Sequence, residues 1–230
     1  MSAPTSATNG TSATATRHAA ALQVVAAFDF DGTLTQRDTL LPYLAIGLGW
    51  AGFGVVMLQC SPWLLAYALR LLPNHVAKAR LLRLAFSGRT TAEVDGWTTR
   101  WMASLPAQLR PDALAQLAAH QRAGHCCVMV SASPDVYLQR AARQLGFDAL
   151  ICTEMAVTSG VFTGNMQTFN CHGEQKRLRL MAWLTVSPCN LAKVVTLYAY
   201  GDTRGDIPML SIADHAWYRG KPWTARGSPS

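Results

Sequence analysis

Hydrophobic positions along this chain follow three successive rhythms. A short apolar run ends at Ala26-Ala27-Phe28 and stops on Asp29, the pattern of a buried strand leading into carboxylates rather than of a secretory leader. From Leu40 to Leu69 there is no Asp, Glu, Lys, Arg or His. Beyond Gly124, short apolar runs alternate with helical patterns. Cys126–Ser131, Ala149–Cys152, Val194–Tyr200 and His215–Tyr218 read as strands, and Val157–Phe162 folds back at Ser159-Gly160 as a hairpin. Pro134–Leu145, closed by Gly146, reads as a helix, as do the basic amphipathic stretch Gly173–Leu184 and residues 205–212. Strands alternating with helices predict an α/β fold built on a parallel sheet.

The stretch 38–110 interrupts that alternation and reads as a helical insertion after the first strand. Its uncharged part is long enough to cross a bilayer. Gly47, Gly49, Gly52, Gly54 and Pro62 interrupt it, and Pro62 predicts a break between helices at Leu40–Gln59 and Trp63–Leu72. Three readings fit its length and composition: a buried helical hairpin, a segment in a membrane interface, and a membrane span. Thr90-Thr91-Ala92-Glu93 has capping-box spacing and opens a helix to about Ser104; Pro111-Asp112 opens another that Gly124 closes. The expected division is a core of 21–37 and 111–222, a helical cap of 38–110, a tail of 1–20 too poor in bulky apolar side chains to order itself, and a flexible end of 223–230.

Composition narrows the partners. The 20 Lys and Arg against 13 Asp and Glu give a net +7, which favours anionic ligands such as phosphorylated small molecules or phospholipid headgroups. Nucleic acid is not an expected partner. Six cysteines include no Cys-x-x-Cys pair, which removes zinc and thioredoxin readings. Several lie in apolar strand runs, so reduced thiols and an intracellular protein are expected.

In an open parallel sheet, functional groups gather beyond the carboxyl ends of the strands. The first strand delivers Asp29-Phe30-Asp31-Gly32-Thr33, the second Ser131-Ala132-Ser133, and a later one Gly201-Asp202-Thr203-Arg204-Gly205-Asp206. Carboxylates crowded on one rim are costly unless a cation compensates them, and all-oxygen ligation suits magnesium. Asp29 and Asp31, two apart, share the face of an extended strand until the turn at Gly32 lifts the second above the first. One can attack phosphorus while the other protonates the leaving oxygen. Lys176, near the start of the basic helix, can meet a phosphate as a point charge.

Asp29-Phe30-Asp31-Gly32-Thr33-Leu34-Thr35, Ser131, Lys176 and Gly201-Asp202 with Asp206, in this order, resemble the four motifs of the haloacid dehalogenase superfamily over residues 24–220. The resemblance implies a Rossmann-like core with an α-helical cap after the first strand. It implies a phosphatase acting through an aspartyl-phosphate: Asp29 the nucleophile, Asp31 the general acid and base, and Thr33, Ser131, Ala132 and Lys176 the phosphate ligands. Mg2+ would be held by Asp29, the Asp31 carbonyl and Asp202, with Asp206 and Gly32 in support. The dehalogenase branch lacks a carboxylate where Asp31 stands, which favours phosphate esters.

The cap position is similar to that of the phosphoserine phosphatase subclass. Asp38 replaces the Glu which that enzyme commonly uses for the substrate amine, and Gly205 replaces its usual Asn. The uncharged cap instead offers acyl-chain contacts, and the layout is closest to the phosphatidylglycerophosphatase C group. Lys78, Arg80 and Arg83 would suit an anionic headgroup. A lipid phosphate is thus the leading substrate class, with phosphoserine or another small metabolite as the alternative and a phosphotransferase or mutase as the second. Asp38 and Arg204 are candidate substrate contacts; His172, the histidine nearest Lys176, reads first as a surface or packing residue and second as a phosphate contact. A monomer or dimer in the cytoplasm, or at the cytoplasmic face of the inner membrane, is expected.

Overall fold

The computed structural model describes residues 23–186 and 194–224; the expectations for residues 1–20, for Cys189 and for 225–230 lie outside the described residues. The described strands are β1 (Gln23–Phe28), β2 (Cys126–Pro134), β3 (Ala149–Thr153), β4 (Met155–Thr158), β5 (Val161–Met166), β6 (Val194–Gly201), β7 (His215–Tyr218) and β8 (Lys221–Trp223). The helices are α1 (Leu40–Ala68), α2 (Asn74–Phe86), α3 (Thr91–Met102), α4 (Leu105–Gln108), α5 (Pro111–Arg122), α6 (Asp135–Gln144), α7 (Glu174–Val186) and α8 (Ile207–Leu210). One sheet has the order β3-β2-β1-β6-β7-β8, parallel except for β8; β4 and β5 form a separate hairpin.

Alternation along β1 and β2 feeds two cores. Ala26, Phe28, Cys127 and Met129 face Leu117 of α5 and Tyr137, Leu138 and Ala141 of α6. Val25, Ala27, Cys126, Val128 and Val130 share the opposite layer with Leu180 and Leu184 of α7 and Met209 and Leu210 of α8. Covering on both faces is why these strands read as unbroken apolar runs.

The first of these cores does not stop at the cap. Tyr43 of α1 stacks on Tyr137 of α6 at 4.5 Å, and Trp101 of α3 lies 4.7 Å from the same ring. Phe86 and Trp97 continue the cluster. The hairpin adds a backbone link: Gly88 N and Thr91 N donate to the carbonyls of Phe162 and Gly160, and Phe162 N donates to Arg89 O. The Thr90–Glu93 capping box forms as its spacing predicts, with both reciprocal bonds present.

Two local features differ from the sequence reading. The break in α1 falls at Gly49 (φ 69°, ψ 163°), not at Pro62, which stays inside the helix. Pro62 has no N–H for the Leu58 carbonyl, and the Ser61 hydroxyl donates to that carbonyl instead at 2.7 Å. Trp223, expected in the flexible end, belongs to β8. Arg219 and Gly220 (φ 54° and 74°) make a two-residue turn that folds Lys221–Trp223 back on β7, and an Arg in that conformation gives the sequence no turn signal.

Beneath the sheet, His120 Nδ1 lies 2.7 Å from His125 Nδ1, and His120 Nε2 lies 2.8 Å from the Tyr200 hydroxyl. Burial, and the neighbouring His125, lower the His120 ring to about 4. A depressed histidine stabilises the fold above its ordinary pKa near 6.5 and loses that contribution as pH falls toward 4. Between pH 7 and pH 5 the loss should be about 1–2 kcal/mol, or about 2–8 °C in Tm. Calorimetry on wild type and His120→Gln checks it: the variant should show a shallower pH slope, and an equal slope would contradict the assignment.

Candidate active site

The carboxyl ends of β1, β2 and β6 meet at one point of the rim. Asp29 N completes the ladder by donating to Tyr200 O at 2.9 Å, which fixes the first carboxylate at the end of β1. Its Oδ1 accepts from Lys176 Nζ at 2.5 Å, and the Thr33 hydroxyl lies 3.1 Å from its Oδ2. The same hydroxyl is 3.3 Å from Asp202 Oδ1, so one proton is shared between two carboxylates. Lys176 also donates to Asp206 Oδ1 at 2.6 Å. Asp206 Oδ2 accepts from Asp202 N, Thr203 N and the Thr203 hydroxyl, which leaves this side chain fully engaged.

Two glycines make this convergence possible. At Gly32 (φ 77°) a Cβ would sit 2.3 Å from Asp202 Oδ2, and at Gly201 one would sit 2.4 Å from Asp206 Cβ. The first supplies both a left-handed turn and the space for Asp202.

Asp31 lies apart from that group. Its Oδ1 accepts from Thr39 N at 2.7 Å and the Thr39 hydroxyl at 2.6 Å, and its Oδ2 from the Ser133 hydroxyl at 2.5 Å. Burial, then the charge of Asp38, raises the Asp31 carboxyl, and these hydrogen bonds oppose the rise. Burial likewise raises Asp29, against the Lys176 ammonium beside it. Burial works against the charge on Lys176, yet Asp29 and Asp206 together hold it above its ordinary value.

Asp29, Asp202 and Asp206 each offer a carboxylate oxygen within 4.8 Å of the others. Burial, then Asp206, raises Asp202. An all-oxygen donor set in which negative charges crowd each other fits a hard divalent cation such as Mg2+. Asp206 is the most heavily engaged of the three, accepting from Lys176, the 202–203 amides and the Thr203 hydroxyl, so Asp29 and Asp202 are the carboxylates better placed to hold such an ion.

The other sequence candidates divide. Ser131 is buried, and its hydroxyl accepts from Ser133 N at 3.1 Å. Ala132 borders a cavity that opens over these residues, its carbonyl held by the Lys78 ammonium and the Thr153 hydroxyl, each at 2.6 Å. Asp38 also borders it, but its Oδ1 is occupied by Leu40 N at the start of α1. His172 lines the cavity with its ring against Gly205, where a Cβ would be 2.3 Å from Nε2. Arg204 is exposed; its neighbour Thr203 is the residue that faces the cavity. Of the basic trio only Lys78 lines the cavity, while Arg80 stacks over Trp63 at 4.5 Å. Burial lowers Lys78, and the charges of Asp31 and Asp38 counteract it. Thr39 and Ser133 were not singled out from the sequence. Ser133 lies in the strand-end tripeptide, whereas nothing marks Thr39 before the insertion is folded.

This floor opens into a cavity of about 560 Å3 whose walls are largely apolar, with Leu40, Leu41, Pro42, Leu64, Tyr67 and Leu81 contributed by α1 and α2.

The family profile of haloacid dehalogenase-like hydrolases matches residues 26–211. The chain belongs to this family. Protein CicA of Caulobacter vibrioides is 37% identical over 206 residues, covering 86% of this chain and 88% of its own length. Phosphoserine phosphatase SerB1 of Mycobacterium tuberculosis is 28% identical over 206 residues, covering 85% of this chain and 64% of its own. Among solved structures, a protein of unknown function from Bordetella pertussis superposes with a TM-score of 0.76 at 24% identity, covering 85% and 89% of the two chains. A phosphoserine phosphatase captured as a phospho-aspartyl intermediate analogue gives 0.58 at 19% identity, over 84% and 85%. The profile carries the superfamily, the solved structures carry its Rossmann-like α/β fold, and phosphoserine phosphatases are among the proteins the chain is similar to. They do not carry the finer likeness to phosphatidylglycerophosphatase C.

Proposed function

We propose that this chain is a Mg2+-dependent phosphomonoesterase that attacks with Asp29 and acts on a lipid phosphate, of which phosphatidylglycerophosphate is the type. The supporting observation is the pairing of a buried, Lys176-bound Asp29 with a cavity walled by aliphatic side chains.

The reaction divides into two displacements. An Asp29 carboxylate oxygen bonds to phosphorus as the bond to the alcohol oxygen breaks, and Asp31 delivers a proton to that oxygen. Burial suits Asp31 to this role by favouring its protonated form. In the second step Asp31 takes a proton from water as the water oxygen bonds to phosphorus, and the bond to Asp29 breaks to give orthophosphate. Lys176, the Ser131 hydroxyl, the Thr33 hydroxyl and the Ala132 amide would hold the phosphoryl oxygens. Mg2+, when held by Asp29, Asp202 and the Asp31 carbonyl, would neutralise charge on those oxygens. Lys78, on the cavity wall, would face a second anionic group of the substrate. Phosphoserine offers nothing for the apolar walls to bind, and the Oδ1 of Asp38, the residue nearest in position to an amine-binding carboxylate, already accepts from Leu40 N.

Purified protein with Mg2+ should hydrolyse p-nitrophenyl phosphate and lose that activity with a chelator. Detergent-dispersed phosphatidylglycerophosphate should exceed phosphoserine in kcat/KM by about tenfold or more. The reverse preference would overturn the lipid assignment, and activity unaffected by chelation would overturn the metal assignment.

A further inference from the structure

A helix that is apolar all round is normally enclosed by protein or by lipid. α1 is apolar all round, and protein encloses only one side of it. Leu40, Tyr43, Leu44, Val56 and Cys60 are its buried residues. Trp50, Leu58 and Leu65 are 83%, 74% and 62% exposed, and Leu69 and Leu71 protrude from the turn that follows. Val55, Leu58, Leu65 and Leu69 follow at three-, seven- and four-residue spacing, which puts these exposed apolar side chains on one face of the helix.

Charge separates the possible occupants. No Asp or Glu occurs from Thr39 to Ala92, while Arg70, Lys78, Arg80, Arg83 and Arg89 do. Arg70 and Arg83 are exposed, the former between the two protruding leucines. A second copy of the chain packed on this face would bring like charges together with no carboxylate from the segment to offset them. A surface that is apolar at depth and anionic at its boundary matches both properties. The packing of α1 on α2 and α3 keeps it lying along the cap, so it presents a flank rather than a free spanning rod.

We propose that the outward flank of α1, with the turn at 69–71, docks on an anionic phospholipid surface. The same helix also walls the catalytic cavity, through Leu41, Leu64 and Tyr67. Docking of its outward flank would therefore hold the cavity close to the lipid boundary. This inference does not rest on the proposed substrate, because it concerns only where the protein sits.

Co-sedimentation of the full chain tests it, with vesicles of phosphatidylcholine alone and vesicles also containing phosphatidylglycerol. Wild type should pellet with the anionic vesicles and be released by salt. The double variant Leu58→Glu with Leu65→Glu should bind about tenfold more weakly or worse. Neither residue borders the cavity, so the variant's rate on p-nitrophenyl phosphate in solution should be unchanged, which also shows that it folds. Three results would overturn the inference: no vesicle binding by wild type, binding indifferent to lipid charge, or undiminished binding by the variant. A wild-type dimer that the variant dissociates, without vesicle binding, would assign the flank to a second copy instead.

Discussion

Asp29→Asn should reduce turnover of p-nitrophenyl phosphate by about 10^4-fold or more while leaving the fold at least as stable as wild type. The rate argument is chemical. The carboxamide nearly matches the carboxylate in shape but forms no acyl phosphate, so the two-step route closes and positioning and electrostatics alone remain. The stability argument is electrostatic. Asp29 and Asp206 share one buried ammonium at 2.5 and 2.6 Å, so the triad carries one uncompensated negative charge. Asparagine at 29 leaves a balanced Lys176–Asp206 pair. In the presence of chelator the variant should match or exceed wild type by about 1–2 kcal/mol, the usual signature of a site strained for function. Steady-state kinetics with a parallel melting curve measures both. Residual activity above about 1% of wild type would remove Asp29 as nucleophile.

Lys176→Met should be damaging in both respects. It removes the only cation within hydrogen-bond reach of either carboxylate among the described residues, at a position closed to water. Breaking a buried pair in this way costs about 3–5 kcal/mol, or about 6–20 °C in Tm for a chain of this size. Loss of a cation aimed at the phosphoryl group should lower kcat/KM by about 10^3-fold. Combining it with Asp29→Asn supplies the decisive control: with one carboxylate gone, the double variant should recover part of the lost stability and none of the rate. A Lys176→Met protein as stable as wild type would show that Asp29 and Asp206 do not depend on this ammonium.

The five parallel strands of the sheet were legible in the sequence because they read as apolar runs, those of β1 and β6 ending on carboxylates, whereas the short antiparallel β8 gave no such signal. Asp29, Asp31 and Asp202 were legible for the same reason: their positions at strand ends follow from chain direction alone. Thr39 and Lys78 were harder. Both belong to the insertion, and their closeness to the strand-end residues depends on how α1 and α2 pack, which periodicity in an all-apolar helix does not encode. The α1 break was misplaced because proline's missing donor is visible in a sequence whereas the hydroxyl of Ser61 that takes over the Leu58 carbonyl is not. The β4–β5 hairpin was read correctly as a turn at Ser159-Gly160, but its pairing with residues 88–91 joins segments too distant for local pattern to connect.

The continuity of the core across cap and sheet bears on how substrate is exchanged. Parting α1 and α3 from α6 would strip water-excluded contacts from Tyr43, Trp101 and Tyr137. Three such rings represent on the order of 10 kcal/mol of apolar burial. The backbone bonds from Gly88, Thr91 and Phe162 bind the hairpin to the cap as well, so a swing of the cap would have to bend four chain crossings where a simple insertion has two. Contacts of this kind oppose a hinge motion of the cap, and they leave Leu41 and Tyr67, exposed yet lining the cavity, at its outer edge.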